Sequence, residues 1–229
     1  VTARYAIYFA PAPADALSRL GMTWLGRDSA DDTRLPQPSI PGFASSRIDA
    51  ITKSARHYGF HATLKAPFAL ADGYSEDALD SAVAGFARGC DRISALSLKV
   101  ADLDGFLALQ LAEESAAVRN LAAACVRDFD AFRAPPTAAA LARRRQAPLS
   151  PLEDALLVRW GYPYVMEAFR FHMTLTCRLG DAERNRLLPI LQRLFGPVTG
   201  TTIAIDAISL FLQEDRDRPF RLLRRYPFR

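Results

Sequence analysis

Two stretches of the chain alternate polar and apolar residues around the same frame, His-x-Thr-Leu. Side chains two apart on a strand share a face. In the first stretch His61, Thr63 and Lys65 fall on one face, with Phe60, Ala62, Leu64 and Ala66 on the other. In the second, Arg170, His172, Thr174 and Thr176 oppose Phe171, Met173, Leu175 and Cys177. Each copy therefore offers one imidazole and one hydroxyl on a common face.

The remaining periodicities predict a mixed chain. Arg4 to Ala10 reads as a short strand closed by Pro11 and Pro13, and Ala14 to Leu25 as a helix. After a proline-marked loop, Ser45 to Ala55 carries a helical turn or two, and the first His strand runs from about Tyr58 to Pro67. Ser75-Glu76-Asp77 caps a helix that continues to about Cys90. Asp104-Gly105 turns a hairpin between Ser97–Ala101 and Phe106–Leu111. Helices follow over Glu113 to Phe132, Thr137 to Arg145 and Leu152 to Trp160. The second His strand covers about Phe169 to Arg178, and a helix from Asp181 to Phe195 kinks at Pro189 and stops at Gly196-Pro197. Thr202 to Leu212 and Phe220 to Tyr226 complete the strands.

The order His strand, helix, strand, turn, strand occurs twice, with similar spacing from each His to its turn, which indicates an internal repeat. The expected fold is α+β: a single bilobal domain, pseudo-symmetric, with antiparallel sheets flanking a central cleft. Lobe one spans about 1–111 and lobe two about 112–229.

The 229 residues are ample for a buried core, and at 50% apolar and 24% charged the composition is that of a soluble globular protein. The net charge of +4 suits an anionic substrate such as a phosphate and argues only weakly for nucleic acid. Arg143-Arg144-Arg145 and the tail Arg221, Arg224, Arg225 and Arg229 supply much of it, and such runs are ordinarily solvated surface. Cys90, Cys125 and Cys177 are widely spaced, which fits a reducing compartment and neither a disulfide scaffold nor a zinc site. Val1 to Phe9 lacks the pattern of a signal peptide and no apolar run is long enough for a membrane span, so a cytoplasmic location is expected.

Imidazole titrates near neutrality, so of two histidines in one cleft one can take a proton while the other gives one. His61 and His172 are the expected catalytic pair. Thr63 and Thr174 are the expected phosphate ligands, donating to non-bridging oxygens as charge builds in a pentacoordinate transition state. Lys65 and Arg170 share these faces and are candidates for a second phosphate on the substrate. His57 has the parity of His61 at the strand entrance, and Tyr58, Tyr162 and Tyr164 are candidates for the rim. No carboxylate or cysteine lies at ligand spacing from either motif His, so no metal and no cofactor is expected.

The paired His-x-Thr-Leu strands resemble the 2H phosphoesterase superfamily, whose members include cyclic nucleotide and RNA 2′,3′-cyclic phosphodiesterases. The wider stretches Arg56 to Phe68 and Phe169 to Thr176, with Arg4 to Phe9 and Trp160 to Pro163, resemble the branch found with bacterial phosphonate-utilisation operons. The resemblance covers essentially the whole chain. It implies metal-independent hydrolysis of a small-molecule cyclic phosphodiester, a phosphorylated ribose cyclic phosphate, to a phosphomonoester. Two alternatives are an RNA 2′,3′-cyclic-end phosphodiesterase or ligase and a non-catalytic phosphate-ligand or RNA-binding module. The expected partner is the small cyclic phosphate; a membrane is not expected, and nucleic acid is disfavoured by the modest charge.

Overall fold

Alternating Arg4–Phe9 forms strand β1, with Ala6 and Tyr8 on one face and Tyr5, Ile7 and Phe9 on the other. The computed structural model describes residues 3–229; Val1 and Thr2, the start of the stretch read for a leader, lie outside them. Helices α1 (Ala16–Leu25) and α2 (Ser45–Tyr58) follow, then β2 (Ala62–Phe68), α3 (Glu76–Arg88), β3 (Ile93–Leu103) and β4 (Phe106–Leu111). The second half of the chain forms α4 (Ala116–Asp128), α5 (Ala138–Arg144), α6 (Pro151–Trp160), β5 (His172–Thr174) and α7 (Asp181–Thr199). It ends on β6 (Thr202–Ile205), β7 (Ala207–Gln213) and β8 (Arg221–Pro227). The α+β class is as expected.

The strands make one eight-stranded sheet in the order β6-β3-β4-β5-β2-β1-β7-β8, antiparallel at every pairing. Asp206 alone separates β6, at one edge, from β7, which lies next to the other edge. Two peptide units span only about 7–8 Å, so the sheet must curl until its two ends approach. The two halves of the sheet are not the consecutive halves 1–111 and 112–229. Hairpin β3–β4, which follows His61 in the chain, pairs with His172's strand; hairpin β7–β8, which follows His172, lies in His61's half beside β1. The two repeats exchange hairpins.

One face of the sheet is the main core. Ile7, Leu64, Leu109 and Met173 from the strands meet Leu79, Val83, Leu121 and Leu191 from the helices. Each fully buried side chain of this kind contributes about 1.5–3 kcal/mol. A one-residue slip of β2 would turn Leu64 outward and the imidazole inward, so the core itself fixes the register of the first motif.

Four elements differ from the sequence expectation for identifiable reasons. Helix α2 runs on to Tyr58, because buried Arg56 ties its last turn to α1 through the Leu25 carbonyl (2.5 Å) and to its own earlier turns through Asp49 (2.8 Å) and Thr52 (2.7 Å). The second His strand has only three paired residues: Leu175 and Thr176 both donate their N–H to the Leu107 carbonyl, and the Thr176 hydroxyl accepts from the Leu107 N–H (3.0 Å). Helix α7 passes through Pro189 and Pro197 as far as Thr199, since its stripe Leu187, Leu191, Phe195 and Val198 remains buried on the core. The strand expected over Thr202–Leu212 breaks at Asp206, where the chain leaves one edge of the sheet for the other. Among the described residues no helix is long and apolar enough to cross a membrane.

Candidate active site

Both motif histidines are held in the same way. His61 Nδ1 lies 2.9 Å from the Gly59 carbonyl and His172 Nδ1 lies 2.8 Å from the Arg170 carbonyl, each two residues upstream. A carbonyl oxygen only accepts, so each Nδ1 carries the proton and each Nε2 presents a lone pair. Gly59 ends α2 at φ +83°, where a Cβ would lie 2.9 Å from Ser29 Cβ. A glycine is required there on both counts, and the turn it makes aims its carbonyl at the imidazole.

The strands bring the two units together. Ala62 pairs with Met173, and both side chains are buried in the core. The polar residues on either side of them, His61 just before β2 and Thr63 on it, and His172 and Thr174 on β5, therefore occupy the opposite face. All four are partly buried. The Thr63 hydroxyl donates to His61 Nε2 at 3.1 Å. Burial pulls His61 down to about 4, helped by the positive charge that His172 can carry and opposed by the Gly59 hydrogen bond. His172 is lowered too, first by burial. Without a ligand, both imidazoles are neutral bases. A phosphodiester anion placed between them opposes that burial cost and allows one to hold a proton.

Tyr8 is a site residue the sequence reading did not select. Its ring stacks on His61 with centroids 3.7 Å apart and planes 23° off parallel. It is fully buried, and its hydroxyl has no hydrogen-bond partner among the described residues. The available signal was parity: Tyr8 lies across from Thr63 in the β1–β2 register.

The softer candidates separate. Lys65 was placed on the His61 face by alternation, but the β1–β2 register shifts at this point and sets Lys65 opposite Ile7, on the core side. It is 3% exposed, with Nζ donating to the Val126 carbonyl at 2.9 Å and lying 3.6 Å from Asp130. Arg170 is exposed and paired with Asp104 at 2.6 Å. His57 sits in the last turn of α2, not on a strand, and its Nε2 accepts from Gln213 at 2.9 Å. Tyr58 stays near the cleft, 6.4 Å from His61 between ring centres and stacked on Phe220 at 5.2 Å. Tyr162 and Tyr164 pack edge to face at 5.6 Å, with the Arg144 guanidinium 4.8 Å over Tyr162.

A cavity of about 810 Å³ borders the second motif through Arg170, Phe171 and Gln110, but neither motif His lines it. Its charged lining is Lys99, Arg119, Arg127 and Arg170 with Glu114 and Glu167. Arg119 is paired with Glu114 and Arg170 with Asp104, so two of the four cations are already held by carboxylates. Among the described residues, no three His, Cys, Asp or Glu side chains gather as a metal ligand set.

Comparison with known proteins adds relatives. A protein of Janthinobacterium sp. (strain Marseille) named ribose 1,5-bisphosphate phosphokinase PhnN is 40% identical over 98% of this chain and 51% of its own length. The protein of the same name from Laribacter hongkongensis (strain HLHK9) is 37% identical over 96% of this chain and 51% of its length. The chain thus spans about half the length of the curated relatives it matches. Among solved structures, a phosphoesterase aligns over 98% of both chains at 15% identity and a TM-score of 0.43. E. coli LigT complexed with ATP aligns over 99% of this chain and 98% of its own at 13% identity and a TM-score of 0.42. Likeness at that level does not bear on site or substrate. The family match is direct: residues 63–221 fit the profile described as protein of unknown function (DUF1045), and the chain belongs to that family.

Proposed function

We propose that this protein hydrolyses a small-molecule cyclic phosphodiester, a phosphorylated ribose cyclic phosphate, to a phosphomonoester without a metal. The observation that carries the reading is the pair of His-x-Thr units on either side of Ala62 and Met173, each imidazole pinned at Nδ1 by a main-chain carbonyl. Binding alone needs no second, equally oriented proton acceptor. One Nε2 takes a proton from water as its oxygen bonds to phosphorus. The other, protonated, gives its proton to the sugar oxygen as the P–O ester bond breaks. Thr63 and Thr174 donate to the non-bridging oxygens as their charge grows.

The ribose comes from two supports: the phosphonate-operon branch that the extended motifs resemble, and the ribose bisphosphate in the relatives' name. The kinase in that name is not carried over. A nucleotide phosphate loop of the form Gly-x-x-x-x-Gly-Lys-Ser/Thr is the usual sequence mark of such chemistry, and these 229 residues contain no Gly-Lys pair.

The test is a panel of a ribose 1,2-cyclic phosphate bearing a 5-phosphate, nucleoside 2′,3′-cyclic phosphates and cyclic-ended oligonucleotides. It is run with and without EDTA, with products identified by phosphorus NMR. Turnover of the sugar phosphate that survives chelation is expected. A preference for oligonucleotides that grows with length and falls steeply with salt would instead favour the RNA-end reading.

A further inference from the structure

We propose that an arginine-lined pocket beside the histidine cleft is a subsite for a terminal phosphomonoester on the substrate, remote from the phosphate that reacts. This rests on the reading of the cleft as a phosphodiester hydrolase. Arg4, Arg133, Arg143, Arg144 and Arg216 line a pocket of about 170 Å³, and no carboxylate lines it. Sites for drug-sized ligands run to about 300–1,000 Å³, so this one fits a small anionic group and not a whole nucleotide.

The charge here is largely uncompensated. Among the ion pairs of the described residues, Arg4, Arg143, Arg144 and Arg216 take part in none. Arg133 is held by Asp130 (2.8 Å) and by the Arg159 carbonyl (3.1 Å), yet its second terminal nitrogen, Nη1, is buried with no partner. A buried donor left unpaired is costly unless something accepts from it. Burial and the neighbouring charges of Arg216 and Arg143 disfavour the charge on Arg4, so an anion among these guanidinium groups would relieve both costs. Several planar forks converging on one small volume suit phosphate, which accepts bidentate hydrogen bonds.

Position ties the pocket to the cleft. Arg4, Ala6 and Tyr8 alternate onto one face of β1. Two aromatic rings lie between the Arg4 guanidinium and His61: Arg4 Cζ is 5.3 Å from the Phe220 ring, Phe220 is 6.3 Å from Tyr8, and Tyr8 stacks on His61. On the far wall Arg144 rests on Tyr162. Tyr8 and Phe220 are fully buried, so these rings link the two sites through the packed interior. A ligand whose cyclic phosphate lies between the histidines would reach the arginines past the exposed Tyr58, which stacks on Phe220 and lies 6.4 Å from His61. The role that alternation suggested for Lys65 falls to residues distant from the motifs in sequence.

The test uses the triple variant Arg143→Ala, Arg144→Ala, Arg216→Ala, whose side chains make no ion pair to lose, and the matching triple lysine variant. Two readouts are needed. The first is kcat/KM for a ribose 1,2-cyclic phosphate with and without a 5-phosphate; the second is calorimetric binding of ribose 5-phosphate against ribose. The alanine variant should lose about 10- to 100-fold on the 5-phosphorylated substrate and less than about threefold on the other, with the lysine variant between. Its affinity for ribose 5-phosphate should fall in step. Equal loss on both substrates, or no loss on either, overturns the subsite. If the unaltered protein turns over neither compound, the catalytic reading fails by itself. Binding then decides the pocket: ribose 5-phosphate bound by the unaltered protein and lost in the variant supports it, whereas binding absent or unchanged overturns it.

Discussion

Ala62 and Met173 are paired across the seam between β2 and β5, and this contact fixes the geometry of the cleft. They are 1% and 0% exposed, so the core holds both side chains and turns their neighbours to the opposite face. Antiparallel register then sets His61 level with Thr174 and Thr63 level with His172. Directly opposed residues have Cβ atoms about 4.5–5.5 Å apart. Each histidine is thus level with the other unit's threonine, while the Thr63 hydroxyl bonds its own unit's His61 at 3.1 Å. The proposed reaction would place a phosphate among these four groups.

In the proposed reaction the two imidazoles would act on one transition state, so their losses should not add. His61→Ala and His172→Ala are each expected to lower kcat by at least about 100-fold, with much smaller effects on substrate binding, and the double variant should be scarcely worse than either. Single-turnover kinetics on all three variants checks this. Near-full activity in either single variant would remove that histidine from the mechanism.

The motif pair was legible because it depends on local alternation: the polar parity of His61 and Thr63 holds on β2, as does that of His172 and Thr174 on β5. Alternation stops being a guide where the ladder is irregular. The shift between the Tyr8–Thr63 and Ile7–Lys65 pairs carries Lys65 to the core side, and nothing in the sequence around Lys65 announces it. His57 lies off the strand for a different reason: the bond from Arg56 to the Leu25 carbonyl of α1 holds α2 for a further turn. The arginine pocket draws on Arg4, Arg133, Arg144 and Arg216, which only the curled sheet and the α4–α6 region bring together. Arg143-Arg144-Arg145 illustrates the limit of composition. Arg145 is paired with Asp154 at 2.6 Å, whereas Arg143 and Arg144 line the pocket.

The pH dependence follows from the direction of the two histidine shifts. Burial lowers both below the ordinary imidazole value of 6.5, His61 to about 4. The base must be neutral, so the acid limb of kcat/KM should fall well below 6.5. The acid must be protonated, so the basic limb should also start on the acid side of neutrality. The kcat profile reports the bound complex, in which the substrate anion favours a protonated imidazole, and its basic limb should lie at higher pH. Rate profiles from pH 4 to 9 test both statements; a kcat/KM optimum above pH 8 would contradict them.

Tyr8 contributes its ring, not its hydroxyl. Aromatic pairs of this kind are worth about 0.5–1.5 kcal/mol beyond the area they bury. Tyr8→Leu should therefore loosen His61 and cost about 2- to 10-fold in kcat, with a shift in whichever limb of the pH profile His61 sets. Tyr8→Phe keeps the stack and removes a buried hydroxyl with no partner, so stability should hold or rise and kcat should stay within about twofold. A large kcat loss in Tyr8→Phe would show that the hydroxyl reaches the substrate.

Lys65 should behave as a structural residue despite its place beside the motif. Its ammonium bonds the Val126 carbonyl, lies near Asp130 and sits 5.4 Å over the Phe68 ring, and burial holds it down to about 8. Lys65→Ala removes those contacts and leaves the Val126 carbonyl without its partner, a loss of about 1.5–3 kcal/mol. A lower urea midpoint with an unchanged slope would record that loss. Per folded molecule, kcat/KM should change by less than about threefold and by the same factor for substrates with and without a terminal phosphate, because the side chain lies on the core side of β2. Asp130 links Lys65 to Arg133 at the pocket wall, so a small common effect on both substrates is compatible with this placement. A selective loss on the phosphorylated substrate with the midpoint unchanged would put the ammonium on the ligand, and would mean that the β1–β2 register shift does not hold in the working enzyme.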